Sequence, residues 1–150
     1  MIRILIPIMT SILVSGCLEF GDDIRLAAPD VTASELGEVT RRTGIDFPPG
    51  TVGLGYFFMG SGIDDALAIK VAIAAKGKDK FLGNALFQDG GVEACSLQIG
   101  QDWWNIDWWN IDRLTDRKDY KMNLPQGRFL ECVFGQEGGR WIAYIYWMST

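Results

Sequence analysis

Histidine is absent from all 150 residues. That removes the side chain that most often acts as a general base near neutral pH, the commonest nitrogen ligand for zinc, and every Ser/His or Cys/His nucleophile pair. Positive charge is scarce as well: 14 Lys and Arg stand against 19 Asp and Glu, a net charge of −5. Neutralising a phosphate backbone needs the opposite balance, so no nucleic-acid partner is expected. No apolar run reaches the ~20 residues that a membrane-spanning helix requires. Charged residues make up only 22% of the chain and apolar ones 48%, which excludes a disordered polymer and suits a single domain.

The N-terminus reads Met1-Ile2-Arg3, then a mostly apolar run from Ile4 to Val14 broken by Pro7, Thr10 and Ser11, then Ser15-Gly16-Cys17. One positive charge, about ten apolar residues and a small-residue break are the parts of a secretory signal. Leu13-Val14-Ser15-Gly16-Cys17 resembles the lipobox of bacterial lipoproteins, with Val14 where that family most often has Leu. The resemblance implies cleavage after residue 16 and lipid attachment at Cys17. It makes the membrane a partner through that anchor and places the protein in the bacterial envelope. Leu18 in place of Asp implies, for a Gram-negative host, transfer to the outer membrane with the domain facing the periplasm. Several acyl chains, at ~0.8 kcal/mol per buried CH₂, hold a small domain firmly. Removing residues 1–16 takes Arg3 with it and leaves 134 residues at a net charge of −6. Residues 17–29, with Gly21-Asp22-Asp23 and Ala27-Ala28-Pro29, show little periodicity and read as a lipidated tether, with one globular domain over 30–150.

Export also bears on the other two cysteines. Cys95 and Cys132 form an even pair in an oxidising compartment and are expected to be disulfide-bonded. Closing a loop of about 38 residues contributes roughly 3–4 kcal/mol in the chain-entropy account.

Within the domain, Thr32-Ala33-Ser34-Glu35 is a capping box, Val31 and Leu36 can staple it, and Gly44 supplies a left-handed stop, so a helix is expected over 33–43. Val52 to Met59 and Ala66 to Ala74 alternate with the period of strands around a Gly60-Ser61-Gly62 turn and should form a hairpin. Its glycine and alanine positions would let a helix pack closely. A second helix is expected between Gly77 and Phe87, and Val92 to Ile99 favours a strand. Asp119–Leu124, Phe129–Phe134 and Trp141–Met148 read as a meander of strands. The result is an α+β class with a largely antiparallel sheet of about five or six strands and two short helices.

Two segments are candidates for chemistry. Asp102-Trp103-Trp104-Asn105-Ile106 is duplicated at once as Asp107-Trp108-Trp109-Asn110-Ile111. A five-residue offset puts the copies ~140° apart on a helix and on opposite faces of a strand, so both cannot share one environment. Either one Trp pair is core and the other exposed, or the segment is a loop closing one end of the core. Trp103, Trp104, Trp108 and Trp109 are therefore candidates for holding a peptide or sugar face. Asp64 and Asp65 are the second candidate. Adjacent residues on a strand point to opposite faces, so as neighbours they do not make an acid/base pair, and turn hydrogen bonding accounts for them. Asp102, Asp107 and Asp112 at spacings of five lack the pattern and closing Glu of a calcium loop, and no metal or other cofactor is expected.

The run from Phe47 to Lys70, the Trp-Trp segment and the strand ending in Tyr146-Trp147 resemble small uncharacterised bacterial proteins, with a doubled Trp-Trp where one is expected; that resemblance brings no activity. The expectation is a non-enzymatic envelope lipoprotein that binds another protein, as an immunity, inhibitor or assembly accessory protein. A glycan or peptidoglycan binder using exposed Trp is the alternative, followed by a hydrolase using Asp64 or Asp65.

Overall fold

The computed structural model describes residues 22–60, 64–89 and 106–149. Strands β1 (Ile24–Ala27), β2 (Val52–Met59), β3 (Ala66–Ile73), β4 (Thr115–Leu124), β5 (Arg128–Glu137) and β6 (Arg140–Ser149) form one six-stranded sheet in the order β1-β2-β3-β6-β5-β4. Every neighbouring pair is antiparallel. With helices α1 (Ala33–Thr43), α2 (Lys78–Leu82) and α3 (Ala85–Asp89) this is an α+β fold.

Alternation divides each strand between two faces. Leu67, Ile69, Val71 and Ile73 of β3, Leu130, Cys132 and Phe134 of β5, and Ala143, Ile145 and Trp147 of β6 meet Val39, Ile45, Phe81 and Phe87 in one core under the helices. The in-between residues Ala66, Ala68, Val133, Ile142 and Tyr144 form a second core with Ile106, Trp109, Ile111 and Leu114. The sheet is thus covered by helices on one side and by the 106–114 segment on the other.

α1 matches its local signals residue for residue. The Thr32 hydroxyl accepts from the Ser34 amide at 3.2 Å, Glu35 accepts from the Thr32 amide at 2.6 Å, and Gly44 ends the helix at φ 80°. The hairpin of β2 and β3 forms as expected.

Four boundaries differ from the sequence reading. Ile24–Ala27, inside the expected tether, is an edge strand paired to Gly55–Phe58, so the ordered domain starts before residue 30. The second helix is broken into α2 and α3 at Gly83-Asn84, because Asn84 turns its amide inward: Nδ2 donates to the carbonyls of Phe81 (2.7 Å) and Asp46 (3.1 Å), and Oδ1 accepts from the Asp46 amide (2.8 Å). A register shift between Gly53 and Gly55 moves Leu54 to the second core, and the two glycines are covered by Val31 and Trp108 rather than by a helix. Finally, β4, β5 and β6 extend beyond the expected runs, β4 by starting at Thr115, ahead of a bulge between Thr115 and Lys118 where Asp116 takes φ 51°. The expected strand over 92–99 lies outside the described residues.

A candidate binding cleft beside Trp108

Sheet register explains how the second Trp pair is seated. Gly55, Lys70, Tyr144, Val133 and Asp119 stand side by side across five strands. The turn at Ile106–Trp109 crosses this row, and the Trp109 amide donates to the Ile106 carbonyl at 3.3 Å. Trp108 fills the space a Gly55 side chain would take. Trp109 is 3% exposed and meets Tyr144 edge-on, with centroids 5.2 Å apart and planes at 82°. The two neighbouring indoles thus divide their duties, Trp109 filling the core and Trp108 half-buried at its margin, 5.7 Å apart.

Trp108 borders a cleft of about 400 Å³ with Arg25, Ala27, Phe57, Ile106 and Asp107. The Arg25 guanidinium lies 5.0 Å from the Phe57 ring centroid and 3.7 Å from the Asp23 carboxylate. Tyr56 also lines the cleft; burial, followed by the charge of Glu38, pushes its pKa up to about 12, so it stays a neutral phenol. The cleft therefore offers an indole face, an arginine and one exposed carboxylate, Asp107: groups suited to holding a ligand.

The remaining candidates separate. Asp65 accepts from Arg42 at 3.2 Å, and its carbonyl accepts from the Ser149 amide at 2.9 Å. Arg42 also bonds Glu38 and lies 4.5 Å and 5.0 Å from the Phe58 and Trp147 ring centroids. Asp65 thus fastens α1 and the sheet together, while Asp64 is exposed beside it. Cys132 is fully buried in β5. Trp103, Trp104, Cys17 and Cys95 lie outside the described residues.

One constellation escaped the sequence reading. Lys70 Nζ is 2.8 Å from Glu137 Oε2 and 4.9 Å from the Tyr144 ring centroid. The Tyr144 hydroxyl, with one hydrogen, stands 3.0 Å from both Glu137 Oε2 and the Asn110 carbonyl. Burial alone would raise the Glu137 pKa, but hydrogen bonds from Lys70 and Tyr144 and the charges of Lys70 and Arg113 outweigh it and hold it below the ordinary value. The Tyr144 pKa is raised by burial and by Glu137. This network ties the Trp109–Asn110 turn to the sheet. Its only signal in the sequence is a lone lysine within the apolar run of β3, which calls for a buried counter-charge.

Among the described residues, no three His, Cys, Asp or Glu side chains converge as a metal site, and no helix is long and apolar enough to cross a membrane. Compared with protein-family models, curated proteins and solved structures, the chain matches none.

Proposed function

We propose that this chain is a lipoprotein of the bacterial envelope, anchored through Cys17, whose domain binds another protein without chemistry of its own. The cleft beside Trp108 carries this reading, because an indole, an arginine and an apolar floor are the groups enriched where proteins meet. The ionised groups lodged within the fold support it: Lys70 with Glu137, Arg42 with Asp65 and Glu38, and Lys121 with Glu131 are engaged in holding elements together. Export fits a Cys95–Cys132 disulfide, and mass spectrometry of unreduced peptides should find the two linked.

The anchor is tested by globomycin, which should block processing, and by Cys17→Ser, which should move the protein from the membrane to the soluble fraction. Binding is tested by a photo-crosslinking residue placed at Trp108 and, as a control, at exposed Asn123 of β4. The expected result is one protein adduct at 108, lost with Arg25→Glu, and none at 123. Equal adducts at both positions, or none at either, overturn the reading.

The half-exposed indole favours a second reading, a glycan binder, since sugar faces stack on such rings. Peptidoglycan fragments should then change tryptophan emission in the wild type but not in Trp108→Phe; a flat titration removes this reading.

A further inference from the structure

β3 ends at Ile73, opposite Trp141 of β6 and one residue beyond Ala72, the partner of Val52 at the start of β2; Gly50-Thr51 before β2 and the β5–β6 turn flank this end of the sheet. The residues at this point are small: Gly50, Ala72, Ala74, Ala75 and Gly139. They leave a notch of about 320 Å³ walled by Val52 and Trp141. Val52 is 53% exposed, one of two large apolar side chains so exposed among the described residues. Trp141 is fixed by stacking on Phe134 at 5.2 Å and by Lys78 Nζ, 4.2 Å from its centroid.

Charge at the notch opposes that of the chain. Arg140 lines it, Lys78 sits on the Trp141 ring, and exposed Lys76 follows Ala75, which also lines it. Among the described residues no acid lines the notch; of the acids closest in sequence to these cations, Glu137 is bonded to Lys70 and Asp79 is exposed. The other end of the strands is acidic, with Asp22, Asp23, Asp64 and Asp65 around the start of β1 and the β2–β3 turn. A net-acidic protein that gathers cations around its open apolar notch has a surface complementary to an acidic, partly apolar partner.

Position adds to this, resting on the proposed anchor. Ile24 is seven Cα-to-Cα steps from Cys17, a reach of at most about 25 Å from the lipid. The row of Ile24, Phe58, Leu67 and Trp147 is seven β6 residues from Arg140, so the notch lies about 24 Å further along the strands.

We infer that this notch, separate from the Trp108 cleft, docks an acidic segment of a partner protein that inserts one aliphatic or aromatic side chain between Val52 and Trp141 while its carboxylates meet Lys76, Lys78 and Arg140. The test uses the purified full chain and an array of 12-residue peptides at net charge −4, 0 and +4, each with a central Leu, Phe or Ser. Acidic peptides with Leu or Phe should bind at least tenfold more tightly than neutral ones and should weaken with added salt. Arg140→Glu combined with Lys76→Glu, both at exposed positions, should remove that preference at an unchanged urea midpoint. Val52→Asp should abolish binding, and Trp108→Ala should leave it intact. Equal binding across charges, preference for the basic peptides, indifference to the charge reversals, or no binding overturns the inference. Because peptides are read on the full chain whatever its lipid state, neither a failed anchor nor a failed Trp108 cleft alters this outcome.

Discussion

At Gly55 the strand has no side chain, and the Trp108 indole occupies the room. A β-carbon there would overlap the ring atoms Cγ, Cδ2 and Cε2, so Gly55→Ala must expel the ring or bend β2. Overpacking of this kind costs about 1–3 kcal/mol. Trp108→Ala forfeits the packing of a half-buried ring, but it also removes the three atoms that the Gly55→Ala side chain would overlap. The two losses should therefore not add, and urea unfolding of both single variants and the double variant measures the coupling. Strict additivity would show that Trp108 does not rest on Gly55. Lys70 sets a different kind of limit. Lys70→Met leaves Glu137, 18% exposed, without its ammonium, and should cost about 3 kcal/mol, the low end for breaking a buried pair. Lys70→Met with Glu137→Gln should recover most of that loss; a double variant no better than Lys70→Met would assign the lysine a packing role instead.

Between α2 and α3 the chain turns on Asn84, 9% exposed, whose amide satisfies three backbone groups. Asn84→Ala should cost about 2–3 kcal/mol, since it leaves buried groups unpaired and does not simply remove a contact. Hydrogen exchange checks the mechanism: the Asp46 amide should lose protection ahead of the β3 amides, and unchanged protection there would sink it. This turn also marks where sequence reading stops. α1 was legible because its signals are local, Thr32 and Glu35 at one end and Gly44 at the other. The β2–β3 hairpin was legible from alternation. The break between α2 and α3 was not legible, because its cause lies 38 residues away, at Asp46. β1 was missed because Ile24-Arg25-Leu26-Ala27 is too short to establish a period, and only pairing with β2 makes it a strand. At the candidate sites, the five-residue duplication did show that two Trp pairs cannot share one environment. The division between Trp108 and Trp109 within one pair depends on a glycine about a third of the chain earlier. Lys70 and Glu137 are 67 residues apart, and the notch draws its small residues from three segments. Contacts assembled across the sheet leave little trace in any local window.

Stability of the whole molecule against pH follows from which side chains titrate and in which direction folding moves them. Glu35 is lowered by the Thr32 hydroxyl and amide, Glu38 by its bond to Arg41, and Glu137 by the bonds and charges that outweigh its burial. In each case the folded protein holds the proton less tightly than the unfolded chain. These carboxylates therefore contribute stability that is complete above their ordinary value of 4.5 and is lost as pH falls through their lower folded values. Tyr56, Tyr120, Tyr144 and Tyr146 are shifted the other way, all raised first by burial. Their contribution is complete below the ordinary phenol value of 10.0 and is lost as pH rises beyond it, because the unfolded chain ionises first. With no histidine, no imidazole adds a step between these limits. Urea midpoints should accordingly be level from pH 6 to pH 8, fall below about pH 4.5 and fall again above about pH 10. Glu137→Gln separates the pair from the rest of the acid limb: it should lower the plateau and flatten the fall below pH 4.5, because one depressed carboxylate no longer titrates. A slope between pH 6 and 8, or an acid limb unchanged in Glu137→Gln, would contradict the assignment of the Lys70–Glu137–Tyr144 network as the fastening between the Trp109 turn and the sheet.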